Sequence, residues 1–276
     1  MEWNSTNITK KLITINDSYI QSLKQQWFEN SHNIVNYFNF IPIANEWFKS
    51  TKLNSLHGWN EFSCIDVSVG CTHFIESLII KYGWDGIQVL PDEYAYYTLM
   101  GKYGTELGNL EPNIPLIISL PNWRYSDLRP DWNDILKECE QKNIDIHIDF
   151  AWLTVARGIE IDLSHPNIKS FVMSMSKYSL EWNRIGLRWS KQRTVDSITI
   201  LNRFHGDINS SLTSCGAFII KNLPRDYGWE KYYDAHHNIC KTLDLIPTKI
   251  VHVGQFKDGS GPAGIGNMLS FRPDSI

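Results

Sequence analysis

The sequence predicts an α/β fold assembled from parallel βαβ units, and three observations carry that expectation. Short β-branched runs recur between residues 65 and 174, apolar residues repeat at helical spacing between them, and glycine or proline punctuates the junctions. Strands alternating with helices at such intervals cover both faces of a parallel sheet. With 276 residues, the chain has the length of one large α/β domain or two modest ones.

The elements follow in chain order. Residues 1–60 are rich in Asn, Trp and Phe with weak periodicity, and read as an N-terminal arm with a short helix over 19–28 (YIQSLKQQWF). IDVSV (65–69) is a strand, Gly70-Cys71-Thr72 a tight turn, and HFIESLIIKYG a helix. GIQVL (86–90) is a second strand, ended by Pro91 and followed by the helical YAYYTLMGKYG. PLIISL (115–120) is a third strand. Trp132, Ile135, Leu136 and Cys139 then fall on one helix face. IDIHIDF (144–150) and IKSFVMS (168–174) are the fourth and fifth strands. Beyond residue 192 the rhythm is helical, with a helix over 226–243. Short strands follow near 248–253 and 267–272, around the Gly/Pro-rich DGSGPAGIG. The division is an arm (1–60), a large domain (61–192) and a small C-terminal domain (193–276).

Composition narrows the function classes. A formal net charge of −4 leaves no basic excess for neutralising nucleic-acid phosphates. The longest apolar stretches, such as Ile114–Leu120, fall far short of the ~20 residues a bilayer needs. MEWNSTNITKK lacks the apolar core of a secretory signal. The five cysteines, Cys64, Cys71, Cys139, Cys215 and Cys240, are scattered with no CxxC, so they read as reduced thiols of a cytoplasmic protein. Eleven tryptophans among 35 aromatic residues point to a core rich in large rings.

Ligands of open α/β sheets sit at the carboxyl ends of the strands, so the residues just past each strand matter most. Gly70-Cys71-Thr72 opens a helix, whose N-terminal N–H groups suit phosphate. Asp149 closes a strand. Lys177 follows the fifth strand in Ser174-Met175-Ser176-Lys177, with Arg184 and Arg188 shortly after. Taken singly, these have plain readings: a turn, a helix cap, a solvated lysine.

Together they are more specific. FVMSMSKYSLEWNRIGLRWS (171–190) resembles the S-x-S-K…G-L-R signature of pyridoxal-phosphate enzymes of the aminotransferase fold, fold type I. In the family's order, VGCTHFIESLI resembles the phosphate-binding turn and its helix. LPDEYAYY resembles the P-x-Y-x-x-Y segment, SLPNW the start of P-x-N-P-T-G, and HIDFAW the D-x-A-Y strand end. The resemblance implies a mixed, mostly parallel sheet with helices on both faces and a small C-terminal α+β domain. It also implies pyridoxal 5′-phosphate as cofactor, a small-molecule amine or amino acid as substrate, and a homodimer whose sites are completed by the partner chain.

Residue roles follow from the same resemblance. Lys177 would form the Schiff base and move protons, and Asp149 would pair with the pyridine nitrogen. Tyr94 would stack on the ring, with Ala151 small enough to let its other face approach the strand. Asn122 and Trp152 would lie near the phenolic oxygen. Gly70, Cys71, Thr72, Ser174, Ser176 and an arginine would take the phosphate. Arg188 is preferred over Arg184 because Gly-Leu precedes it as in the family. Transamination is the first expectation, and a lyase or decarboxylase on the same cofactor the second.

The departures also carry information. Trp-Arg-Tyr-Ser, not Pro-Thr-Gly, follows Asn122. In GNMLSF (266–271), Met268 stands where the family has the arginine that clamps a substrate carboxylate. Met supplies no charge, so ordinary α-amino acids are expected to be poor substrates unless Arg272 or another residue takes that place. Two rival readings remain. Asp145, His147 and Asp149 share one strand face and offer donors for a metal-dependent hydrolase. A non-enzymatic relic of the fold is the other, and the presence of Lys177, Asp149 and Asn122 together argues against it.

Overall fold

The computed structural model describes residues 15–30, 34–100, 102–103, 105–178, 180, 183–206 and 208–270. The chain begins with helices α1 (Ser18–Asn30) and α2 (Tyr37–Lys49), then strands β1 (Ser55–His57) and β2 (Cys64–Ser68). Helix α3 (Gly70–Tyr82), β3 (Gln88–Val89), α4 (Ala95–Met100), β4 (Lys102–Tyr103) and β5 (Leu116–Ser119) follow. After α5 (Trp132–Gln141) come β6 (Ile146–Asp149), β7 (Glu160–Asp162), β8 (Ile168–Ser174) and β9 (Gly186–Ser190). The remainder is α6 (Ser197–Ile200), α7 (Ser210–Asn222), α8 (Tyr227–Thr242), β10 (Leu245–Pro247), β11 (Val253–Phe256), β12 (Pro262–Gly264) and α9 (Gly266–Ser270). No described helix is long and apolar enough to cross a membrane.

The main sheet has seven strands in the order β2-β9-β8-β6-β5-β3-β4. All pairings from β8 to β4 are parallel, whereas β9 runs antiparallel to both β2 and β8. A single reversed strand therefore makes the sheet mixed. Alternation along β8 explains the helices on both faces. Phe171 points to one face, where it stacks on Trp189 at 5.1 Å between ring centroids, with Phe48 of α2 edge-on to Trp189 at 5.5 Å. Val172 points to the other, into a cluster with Phe74, Ile75, Leu78 and Ile79 of α3. Burying each such side chain contributes roughly 1.5–3 kcal/mol.

Two expectations are corrected here. The N-terminal segment is not an arm throughout: Phe40, Ala44 and Phe48 of α2 are fully buried, and the Trp47 indole donates to the Leu223 carbonyl at 2.9 Å. Its buried apolar residues recur at 40, 44, 47 and 48, one helix face, and the exposed apolar Phe38 and Ile43 on the other faces mask that period. The C-terminal strands also differ. Residues 248–252 form a turn, and the small antiparallel sheet is β10-β11-β12. Residues 266–270 are helical, with neighbouring Met268 and Leu269 both buried. Adjacent buried side chains are incompatible with a strand that has one solvated face. Phe271 and Arg272 lie outside the described residues.

Strand β9 was read only as the tail of the lysine motif, yet it is buried along its whole length. Gly186 is required there, because a Cβ would lie 2.0 Å from the Met173 carbonyl oxygen. Arg188, in its middle, reaches Asp66 of β2 at 2.6 Å, Asp196, and the Thr199 hydroxyl at 2.8 Å. This guanidinium joins β9, β2 and the start of α6. Arg188→Met leaves two buried carboxylates short of their shared cation. Urea denaturation should show a loss of about 3–5 kcal/mol. A loss under about 1 kcal/mol, the level of an exposed pair, would mean the cluster is not structural.

Candidate active site

Six of the seven strands point the same way, so β2, β5, β6 and β8 end at one edge of the sheet. Their last residues are Ser68, Ser119, Asp149 and Ser174. The cross-strand partners Ser119, Asp149 and Val172 project to the same face, the one covered by α3. A cavity of about 450 Å³ opens there between α3, α4 and the β8–β9 connection. Its wall includes Cys71, Thr72, Tyr94, Tyr97, Asp149, Ala151, Trp152, Ser176, Lys177 and Arg184.

Asp149 is the buried charge of this cavity. One carboxylate oxygen accepts from the Ala151 amide at 2.8 Å, and the other from the Tyr97 hydroxyl at 2.7 Å. The Cys71 thiol adds a further hydrogen bond. Burial raises the carboxyl's pKa, while these three donors and the nearby Lys177 charge act in the opposite direction. Burial and the Asp149 charge in turn push the Cys71 thiol and the Tyr97 hydroxyl well above their usual ranges, so both remain protonated donors. The Lys177 ammonium nitrogen lies 4.1 Å from the centre of the Trp152 ring.

The other end of the cavity is set for an anion. Helix α3 starts at Gly70 with φ of 75° after an N-cap residue, Val69, that offers no side-chain bond to the first turn. Its first amides are therefore without a capping side chain. Beside them stand Thr72 and Arg184, whose guanidinium donates to the Thr72 hydroxyl at 3.3 Å. Ser176, also on the cavity wall, shares a 2.8 Å hydrogen bond with the buried Ser174 hydroxyl.

Four expected residues fall differently. Arg188 is not at the anion end but buried in its ion pairs with Asp66 and Asp196. Because β9 is antiparallel, its start, not its middle, reaches the cavity edge, and Arg188 sits two residues into the strand beyond Gly186. Asn122 is buried outside the cavity wall: its amide donates to Glu93 at 3.1 Å and its oxygen accepts from the Arg124 amide at 2.9 Å. Gly70 and Ser174 lie immediately behind the wall, Gly70 against the Arg184 side chain. The metal reading loses support, because Asp145 pairs with Lys169, His147 with Ser170, and Asp149 with Tyr97. Among the described residues no group of three or more His, Cys, Asp or Glu side chains is arranged to hold a metal ion.

No family model and no curated protein sequence matches this chain. Solved structures do. A C-S lyase from Staphylococcus hominis superposes with a TM-score of 0.60 at 9% identity, covering 92% of this chain and 76% of that one. Alanine aminotransferase from Pyrococcus furiosus gives 0.60 at 14%, covering 88% and 73%. An aminotransferase from Staphylococcus aureus gives 0.61 at 14%, covering 94% and 88%. The chain has the aminotransferase fold, fold type I. Within it, the described cavity lies at the carboxyl edge where α/β sheets bind ligands.

Sequence reading missed two side chains of this site. Tyr97 was seen only as part of a motif, although its i+3 spacing from Tyr94 signals one shared helix face. Glu93 is a buried carboxyl, bonded by Ser119, Asn122 and Arg129, and burial raises its pKa to about 7. Nothing local distinguished it from a surface acid.

Tyr97→Phe removes a donor to the ionised form of Asp149. A hydrogen bond to a charged group is worth about 1.5 kcal/mol, or about one pKa unit. The Asp149 carboxyl should therefore titrate about one unit higher in the variant, read by carboxyl ¹³C NMR of the ligand-free protein. An unchanged titration would show that the hydroxyl does not stabilise the carboxylate.

Proposed function

We propose that the chain is a cytoplasmic pyridoxal-phosphate-dependent enzyme that acts on the amino group of a small molecule, with transamination as its first reading. The observation that carries it is the meeting of Lys177, Asp149 and the Thr72–Ser176–Arg184 anion end in one cavity of an aminotransferase fold. The donor set fits the cofactor: a buried carboxylate for a ring N–H, a primary amine, aromatic walls, and hydroxyl, guanidinium and helix-end donors for a phosphate. That group, when bound, supplies an electron sink for charge developing at the substrate carbon that bears the nitrogen.

The chain's own residues do the rest. Asp149 keeps a proton on the pyridine nitrogen through a hydrogen bond in low dielectric, where a carboxylate is most effective. Thr72, Ser176, Arg184 and the first amides of α3 hold the phosphate. Tyr94 and Trp152 exclude water from the ring, and Ala151 leaves room beside the strand. Lys177 anchors the cofactor and, as a free amine, carries a proton to and from the substrate carbon. Arg184 replaces Arg188 in this assignment, and Asn122 supports the loop through Glu93.

A lyase is the second reading, favoured by the match to a C-S lyase over 92% of this chain. A homodimer is part of the proposal. Ile80, Trp84, Val195 and Phe204 are large apolar side chains left exposed, which a second copy could cover.

Incubation with pyridoxal 5′-phosphate and borohydride should leave the cofactor mass on Lys177, located by peptide mass spectrometry. Attachment at Lys169 or Lys191 instead, or none, would overturn the reading. Asp149→Asn should keep the fold and the label but lose most turnover in an amine screen. Keto-acid-dependent amino transfer in that screen identifies a transferase, and release of ammonia and a thiol identifies a lyase.

A further inference from the structure

Behind Lys177, on the side away from the cleft, lies a second and much smaller cavity. It measures about 10 Å³, near the about 10–15 Å³ that one water molecule needs, and Lys177 lines both it and the cleft. Besides Lys177, its polar side chains are Asp17, Tyr227, Tyr232, Tyr178, whose hydroxyl donates to the Arg225 carbonyl, and His252. The first three are committed to one another. Asp17 accepts from the Tyr232 hydroxyl at 2.7 Å and the Tyr227 hydroxyl at 3.2 Å, and pairs with Lys231 at 3.2 Å.

His252 is different. It is 1% exposed, and neither ring nitrogen has a hydrogen-bond partner among the described residues. Leaving a buried polar atom unsatisfied is costly, and this imidazole leaves two. Its ring packs edge-on to Trp152 at 5.6 Å between centroids, the same indole on which the Lys177 ammonium rests. Burial, with the Lys177 charge contributing, lowers the His252 pKa to about 3. The ring is therefore neutral, with one N–H donor and one bare acceptor nitrogen.

We infer that His252 is a positioning residue for Lys177: its acceptor nitrogen, through one water in the rear cavity, takes a hydrogen bond from the Lys177 amine when that amine is not attached. This rests on the reading of Lys177 as the cofactor lysine. The arrangement gives the released amine a seat beside the cleft, oriented by a group that is neutral and so does not repel it. The charged groups facing Lys177 across the cleft are Asp149 and Arg184, and on the rear side Asp17, whose charge is already met.

Two measurements on the full-length, cofactor-free protein test the inference without depending on turnover. The first is reductive dimethylation with formaldehyde across a pH series, quantified at Lys177 by peptide mass spectrometry. A neutral acceptor favours the ammonium. His252→Leu should shift the Lys177 midpoint to lower pH by about half a unit or more, a roughly threefold change in the amine fraction. His252→Gln, which retains an acceptor, should lie near wild type, and Lys169 and Lys191 should not move in either variant. Equal midpoints in all three proteins would overturn the inference.

The second measurement covers the case in which the leucine variant does not fold. In ¹⁵N-histidine-labelled protein, the acceptor nitrogen of His252 should change chemical shift clearly on Lys177→Met. An unmoved resonance would overturn the inference. Failure of the cofactor to label Lys177 would instead overturn the cofactor reading and leave these two results standing on their own.

Discussion

The cleft is arranged around one withdrawn charge, the Asp149 carboxylate. A carboxylate taken out of water needs donors, and the local chain supplies three: the Ala151 amide, the Tyr97 hydroxyl and the Cys71 thiol. Each arrives from a different element. Ala151 belongs to the same strand end, Tyr97 to α4 and Cys71 to the first turn of α3. Meeting the charge thus fixes where α3 and α4 sit over the sheet, and α3 in turn brings its uncapped first turn to the anion end of the cavity. Cavity and helix packing have the same cause.

The reversed strand β9 is the second constraint. Running against β2 and β8, it returns the chain after Lys177 to the active edge at Gly186 and then carries it away. Residues before Gly186 reach the cavity and residues after it become core. One arginine on each side therefore takes one of two roles: Arg184 stands at the cavity, and Arg188 is a buried tie between strands. A guanidinium buried at Arg188 is tolerable only because Asp66 and Asp196 converge on it.

These two constraints explain what was legible in the sequence. The strands at 65–69, 115–120 and 168–174 carry β-branched runs whose pattern survives in isolation, and each appears where expected. Lys177, Asp149 and the Gly70–Thr72 turn each follow directly from one strand end, so local pattern alone places them at the edge where the cavity opens. Arg188 falls outside the cavity because its place depends on strand direction, and Gly-Leu-Arg reads the same in either direction. Asn122 lies off the cavity wall because it is held by Glu93, 29 residues earlier and invisible to local pattern. Helix α2 was missed for the same kind of reason: its apolar face is defined by Trp189 and Leu223, far away in sequence.

Glu93 shows how the altered loop after Asn122 is compensated. Without Pro-Thr-Gly, the loop 122–127 is held by other means: the Asn122 side chain caps its own turn at the Arg124 amide and donates to Glu93. Glu93 also accepts from the Ser119 amide at 2.9 Å and lies 3.5 Å from the Arg129 guanidinium, while Arg129 donates to the Pro91 carbonyl at 2.8 Å. The cluster joins the end of β5, the start of α4 and the loop that carries Trp123 onto the cavity wall. Ser119 is shared, since it lines the cavity and bonds Glu93. The floor of the cleft therefore rests on a second buried carboxyl, two strands over from Asp149. Asn122 fixes that floor from outside the cavity wall.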